Sequence, residues 1–64
     1  MDEITMTKKM ENGVAVYYGP KANLYFESFN YSELIDLEIN ALDLLKNPDG
    51  YLLDREKRQV VMRK

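Results

Sequence analysis

Residues 10–18 read Met-Glu-Asn-Gly-Val-Ala-Val-Tyr-Tyr, and this stretch decides the fold. Asn12-Gly13 is the strongest short signal for a β-hairpin, because both residues tolerate the positive φ of a type I′ turn. The β-branched and aromatic residues that follow favour a strand leaving that turn. We therefore predict a hairpin with a two-residue turn, in which Met10 faces Ala15.

The segments on either side extend the hairpin into a three-stranded antiparallel sheet. Residues 3–10 alternate between apolar and polar positions, and residues 23–29 form a third strand after the break at Gly19-Pro20. The alternation sorts the side chains into two faces. We expect the core to lie on the face that carries Ile4, Met6, Met10, Ala15, Tyr17, Leu24 and Phe26.

The opposite face of this sheet is polar at its edges and apolar along its middle. A sheet covered on one side normally carries polar residues on the other, and aromatic residues are enriched at protein interfaces. We therefore predict a partner-binding surface formed by Val14, Val16, Tyr18 and Tyr25. The alternative is that the C-terminal segment folds over these four residues.

A single amphipathic helix is predicted over residues 31–46. Asn30 suits the N-cap, and Glu33, three residues later, completes a capping box. Phe29 and Leu34 occupy the two positions of a hydrophobic staple around it. An Asn-Pro-Asp-Gly turn then ends the helix.

The apolar arc of this helix is wider than one contact with a sheet requires. Its outer part is a candidate dimer face, formed by Ile35, Glu38, Ile39 and Leu42. A homodimer would also support a small core, since a domain of about this size buries only about 60% of the surface of its unfolded chain. If Glu38 is buried at such a contact it needs a cation, and an arginine of the tail is the candidate. The alternative is that the C-terminal segment covers this part of the helix.

The C-terminal residues predict a second hairpin, in which Leu53 pairs with Val60. A helix starting at Asp54 is the alternative, because the residues that follow favour helices. The full pattern, β-β-β-α-β-β, indicates one domain of the α+β class, residues 1–64. We expect a small antiparallel sheet with one amphipathic helix packed on one face.

Charge is divided unevenly along the chain. Residues 1–54 carry four basic and ten acidic side chains, whereas residues 55–64 carry five basic and one acidic. The C-terminal segment is therefore a basic patch that suits either nucleic acid or an acidic protein surface. The alternative is a solvated hairpin whose charges complement the acidic helix. The patch consists of Arg55, Lys57, Arg58, Arg63 and Lys64.

The sequence contains no cysteine and no histidine, so disulfides, thiolate sites and the usual general base are excluded. Ser28 and Ser32 therefore lack the histidine that commonly activates a serine. We expect no catalysis, no metal and no cofactor. No apolar run approaches the ~20 residues of a membrane span, and the N-terminus is acidic where a signal peptide is basic. We expect a cytoplasmic protein that does not act on membranes.

These observations favour a non-catalytic protein-binding module, for example a small regulator or inhibitor that docks on a larger protein. Small acidic proteins of this kind are common in bacterial and phage genomes. The expected partner is another protein, with a homodimer as a further expectation. Nucleic-acid binding through the basic C-terminal segment is the alternative function.

Overall fold

The computed structural model describes residues 1–63, which form six strands and two short α-helices. The first half contains the strands β1 (Asp2–Glu3), β2 (Met6–Met10), β3 (Gly13–Tyr18) and β4 (Tyr25–Asn30). The second half contains α1 (Tyr31–Asp36), α2 (Ala41–Lys46), a 3-10 turn (Pro48–Gly50), β5 (Tyr51–Asp54) and β6 (Gln59–Met62). The predicted α+β class is confirmed.

The strands form two three-stranded antiparallel sheets, with the orders β1-β5-β6 and β2-β3-β4. The prediction of one strand over residues 3–10 is wrong, because β1 pairs with β5 while β2 pairs with β3. Ile4 lies between the two strands and is buried in the core. The N-terminal segment therefore links the two sheets.

The turn of the first hairpin lies one residue earlier in the chain than predicted, so the partner of each β2 residue differs by two from the predicted one. Met10 pairs with Gly13, and the turn consists of Glu11 and Asn12. Among residues 1–63, positive φ occurs at Gly19, Glu38 and Arg58 only, so this is not a type I′ turn. Gly13 is required for another reason: a Cβ there would lie 2.0 Å from the Phe29 carbonyl oxygen.

The shift does not change which residues share a face of the β2-β3-β4 sheet. The core, however, lies on the face that was expected to bind a partner and not on the face that was expected to be buried. Val14 and Val16 on β3 and Phe29 on β4 have no more than 1% of their surface exposed. Met6, Met10 and Phe26, expected in the core, are exposed, whereas Ala15 is buried as expected. The physical reason lies in β3, the central strand, which presents Val14, Val16 and Tyr18 on one face but only Gly13, Ala15 and Tyr17 on the other.

One core joins both sheets and both helices. It consists of aliphatic and aromatic side chains from both sheets and both helices. Burial of one such side chain stabilises the fold by about 1.5–3 kcal/mol. Its buried members are Ile4, Val14, Val16, Phe29, Leu34, Ile39, Leu44, Tyr51, Leu53 and Val60.

The start of the predicted helix is confirmed, but its continuous course is not. Asn30 accepts a hydrogen bond from the Glu33 N–H, and the Glu33 carboxylate accepts one from the Asn30 N–H, as a capping box requires. The helix then ends at Asp36 and a new one starts at Ala41. The prediction of one helix over residues 31–46 is therefore wrong.

The break between the helices is a Schellman motif. The Ile39 N–H donates to the Leu34 carbonyl at 2.8 Å and the Glu38 N–H donates to the Ile35 carbonyl at 2.9 Å. Glu38 takes the left-handed position with φ 60°. Ile39 and Leu34 are both buried, which supplies the hydrophobic contact that accompanies this motif.

The second helix is held at both ends by side chains. Asn40 caps its N-terminus by accepting a hydrogen bond from the Asp43 N–H. At the other end, the Thr7 hydroxyl of β2 lies 3.1 Å from the Leu44 carbonyl oxygen, to which it donates. These bonds fix α2 over the core side of the β2-β3-β4 sheet.

The predicted C-terminal hairpin is confirmed, with Leu53 opposite Val60. Both side chains are buried. The helix considered as an alternative is therefore excluded, and residues 55–58 form the turn of the hairpin.

Among residues 1–63, no helix is long and apolar enough to cross a membrane.

Candidate functional site

The most prominent surface feature is the outer face of the β2-β3-β4 sheet, which points away from the core. Met6 is 40% exposed, Met10 37% and Phe26 56%. Successive side chains of a strand point to opposite faces of the sheet, so the residues of this face alternate along each strand with residues that face the core. We call this surface the outer sheet face; it consists of the exposed Met6, Lys8, Met10 and Phe26, the half-buried Tyr17 and Ser28, and the buried Ala15.

A row of large side chains crosses this face. Met6 pairs with Tyr17 and Tyr17 pairs with Phe26, so three adjacent strands each contribute one side chain at the same level. The Tyr17 and Phe26 rings are tilted by 34° with centroids 5.4 Å apart, within the favourable range for aromatic pairs. Neighbouring strands lie about 4.8 Å apart, so the row is roughly 10 Å wide.

Lys8 is the one charged residue that strands β2, β3 and β4 place on the outer sheet face. The register places Lys8 in the row beside the large side chains, opposite Ala15, with Ser28 on the far strand. The whole chain of 64 residues carries a net charge of -2. An apolar row beside one lysine is suited to an apolar protein surface with a nearby carboxylate.

The predicted partner-binding residues are brought together only in part. Val14 and Val16 belong to the core, so the expectation that they lie on an accessible surface is wrong. Tyr18 and Tyr25 do meet, with stacked rings 5.8 Å apart. The Arg55 guanidinium lies 5.2 Å from the centroid of the Tyr18 ring. The C-terminal hairpin therefore covers part of the face that carries Val14, Val16 and Tyr18, which was the alternative considered from the sequence.

The candidate dimer face is also divided by the structure. Ile35 and Leu42 are exposed on α1 and α2. Ile39 is buried in the core, so its assignment to an exposed face is wrong. Glu38 is exposed at the Schellman motif rather than buried, so it needs no cation from the tail.

The three arginines of the basic patch form ion pairs with carboxylates of the same chain. Arg55 forms an ion pair with Asp2 and Arg63 forms one with Glu3. Lys57 is exposed in the turn of the C-terminal hairpin, and Lys64 lies outside the described residues. The charge asymmetry seen in the sequence is therefore largely balanced by contacts across the fold.

Arg58 makes the most extensive of these contacts. It pairs with Glu33 and Glu27, donates to the Ser28 carbonyl, and stacks over the Phe29 ring at 4.8 Å. Its hydrogen bond lowers the pKa of the Glu33 carboxyl, assisted by the Asn30 N–H. This cluster fastens the C-terminal hairpin to β4 and α1.

The most perturbed ionisable pair is structural. The Tyr51 hydroxyl donates to the Asp43 carboxylate at 2.5 Å, and the Asn47 amide donates to the other carboxylate oxygen at 3.1 Å. These bonds lower the pKa of Asp43, and the bond to Asp43 together with burial raises the pKa of Tyr51 to about 12. A tyrosine held protonated in this way is a poor proton acceptor or donor near neutral pH.

No protein-family model, curated protein sequence or solved structure shows significant similarity to the chain.

Proposed function

We propose that the chain is a non-catalytic protein-binding module, a small regulator or inhibitor that docks on a larger protein through the outer sheet face. The observation that carries the proposal is the row formed by the exposed Met6 and Phe26 and the half-buried Tyr17 on three adjacent strands. The strands hold the backbone of these residues in fixed positions, so little backbone freedom is lost when a partner covers them. We expect it to act in the cytoplasm.

The chemistry of the row supports protein as the ligand. Aromatic and methionine side chains are enriched at protein interfaces relative to the rest of the protein surface. Burial of the exposed half of Phe26 alone would contribute about 1 kcal/mol. Lys8, in the adjacent row, suits an acidic side chain at the rim of the partner's surface.

Nucleic-acid binding through the basic segment has less support. Phosphate binding depends on lysines and arginines that are free to release counterions. Among the described residues, Arg55, Arg58 and Arg63 already pair with carboxylates of the same chain. Binding to phosphates would have to break these ion pairs.

Photo-crosslinking in the source cells tests the proposed surface. Benzoylphenylalanine at position 26 should form covalent adducts with a specific partner, and excess wild-type protein should compete for them. The same group at position 42, on the exposed side of α2, is the matched control and should give no such adducts. Adducts that are identical from both positions would contradict the proposal.

The identified partner then permits a quantitative test. We expect Phe26→Ser to weaken binding by at least about tenfold, since aromatic anchors at interface centres carry a large share of the binding energy. Leu42→Ser should bind as the wild type does, measured by isothermal titration calorimetry. Wild-type affinity of the Phe26→Ser protein would rule out the outer sheet face.

A further inference from the structure

The basic side chains of the chain divide into two classes. All of the arginines form ion pairs with carboxylates of the same chain, whereas none of the lysines among residues 1–63 does so. Two of these lysines, Lys8 and Lys9, are adjacent on β2, and both are exposed. β2 therefore places two uncompensated positive charges side by side on a chain whose net charge is -2.

These two lysines lie at the border of the outer sheet face. β2 is an edge strand of the β2-β3-β4 sheet. Lys8 lies on the outer sheet face between Met6 and Met10, and Lys9 lies on the opposite side of the strand, facing Val14. A partner that covers the apolar row of the outer sheet face and extends past its β2 border would meet both ammonium groups.

The backbone groups along this border can be assigned from the register. The Tyr31 N–H donates to the Asn12 carbonyl at 3.0 Å, which places Gly13 in a non-hydrogen-bonded pair of the β3-β4 ladder. Gly13 therefore directs its N–H and C=O groups toward β2, and by alternation Thr7 and Lys9 direct theirs away from β3. Residues 8–10 are all exposed and Thr7 is half-buried. From elsewhere in the described chain, no backbone hydrogen bond reaches these outward groups.

Lysines on an edge strand normally keep it from pairing with other strands. A neutral or basic strand beside β2 would leave Lys8 and Lys9 without partners or opposed by like charges. An acidic strand would instead supply those partners, because opposite charges at facing positions stabilise a strand pair by about 0.2–1 kcal/mol each. The two lysines therefore disfavour most strands and favour acidic ones.

We propose that the partner protein docks by adding an acidic strand to β2, an inference that rests on the proposed docking through the outer sheet face. The residues of that strand that face Lys8 and Lys9 are acidic, and those that face Met6 and Met10 are apolar. Antiparallel to β2, the segment reads apolar, acidic, acidic, any residue, apolar. The rest of the partner then covers the row that continues to Phe26.

Nucleic acid suits this border less well than an acidic strand. Binding to phosphates draws its affinity from many cationic contacts, and β2 offers two on a chain of net negative charge. Bases would also need open aromatic faces on which to stack. Tyr17 is half-buried, and its ring packs against Phe26 with centroids 5.4 Å apart.

Charge reversal tests the acidic strand on the adducts formed from benzoylphenylalanine at position 26. Lys8→Glu and Lys9→Glu should each lower the adduct yield at limiting concentration by at least about tenfold, since like charges would then face the partner's carboxylates. Lys57→Glu makes the same change of charge in the turn of the C-terminal hairpin and should leave the yield unchanged. In the wild type, a carbodiimide should join Lys8 or Lys9 directly to an aspartate or glutamate of the same partner.

Two substitutions at Lys9 separate backbone pairing from charge. Lys9→Gln and Lys9→Pro both remove the ammonium group, but only Lys9→Pro removes the outward N–H, and neither removes a bond to β3. The Lys9→Pro protein should bind the identified partner about fivefold more weakly than the Lys9→Gln protein, the equivalent of one hydrogen bond. Circular dichroism checks that both proteins are folded. Slower amide exchange of Thr7 and Lys9 in the complex gives the same test without a substitution.

The outcomes separate this inference from the proposed function. Adducts that persist in both the Lys8→Glu and Lys9→Glu proteins would overturn the acidic strand and leave the outer sheet face as the docking surface. An absence of adducts from position 26 in the wild type would contradict both. Adducts that nuclease removes, or that join two copies of the 7.5 kDa chain, would identify another occupant and overturn the proposal. Equal affinity of the Lys9→Pro and Lys9→Gln proteins would rule out strand pairing.

Discussion

Among single residues, Tyr51 has the clearest chemical role. The residue is buried in the core, and its hydroxyl donates to the exposed Asp43 of α2. The hydroxyl therefore ties the first residue of β5 to the helix that precedes it. Asn47 supports the same carboxylate from the end of α2.

Tyr51→Phe tests this contact and its dependence on pH. At neutral pH the free energy of unfolding should fall by about 1 kcal/mol, the typical contribution of one hydrogen bond. The folded state raises the pKa of Tyr51 from 10.0 to about 12. The stability that Tyr51 adds is therefore fully present below pH 10 and is lost as pH rises toward 12.

Urea denaturation of both proteins at a series of pH values measures this effect. The difference between wild type and Tyr51→Phe should be constant from pH 7 to pH 9 and should shrink above pH 10, the pKa of the free phenol. A difference that grows with pH in that range would contradict the assignment of the hydrogen-bond donor to Tyr51.

At the scale of elements, the interrupted helix shows what sequence periodicity can and cannot predict. The capping box at Asn30 and Glu33 is a local interaction, so the sequence predicted it correctly. The break at Glu38 follows from the burial of Ile39 against Leu34, which is a tertiary effect. A weak local signal exists, because Asn40 with Asp43 repeats the spacing of the first cap.

Glu38→Gly tests the strain at this break. A residue with a side chain at φ 60° is disfavoured, whereas glycine adopts this conformation freely. We expect the substitution to raise the free energy of unfolding by about 0.5–1 kcal/mol in chemical denaturation. Asp36→Gly, at the last residue of α1, is the control and should destabilise the protein slightly, by about 0.3 kcal/mol, because aspartate and glycine differ by about this much in helix propensity. Equal destabilisation by both substitutions would contradict the left-handed conformation of Glu38.

At the scale of the molecule, the arginines of the C-terminal segment connect distant parts of the chain. Arg55 and Arg63 reach the two residues of β1, and Arg58 reaches β4 and α1. Exposed ion pairs of this kind contribute about 0–1 kcal/mol each. Their combined effect is to orient the C-terminal hairpin on the rest of the fold.

The sequence predicted that both hairpins exist and which residues of β2, β3 and β4 share a face, since both depend on alternation along each strand. It did not predict the turn or the register of the first hairpin. It did not predict which face is buried, because each face has both apolar and polar residues. The central strand contains the missing signal: Val14 and Val16 present more apolar volume than Gly13 and Ala15. The partner-binding surface predicted from the sequence therefore lies on the core face of the sheet, where Val14 and Val16 are buried.

The central claim is that the outer sheet face is free surface and the opposite face is core. Two phenylalanines on β4 test it directly, because Phe26 lies on the outer sheet face and Phe29 in the core. Guanidinium denaturation should show that Phe26→Ser costs about 1 kcal/mol, mainly from lost contact with Tyr17. Phe29→Ser should cost about 3–5 kcal/mol or prevent folding. A loss of stability from Phe26→Ser that equals or exceeds the loss from Phe29→Ser would contradict the account.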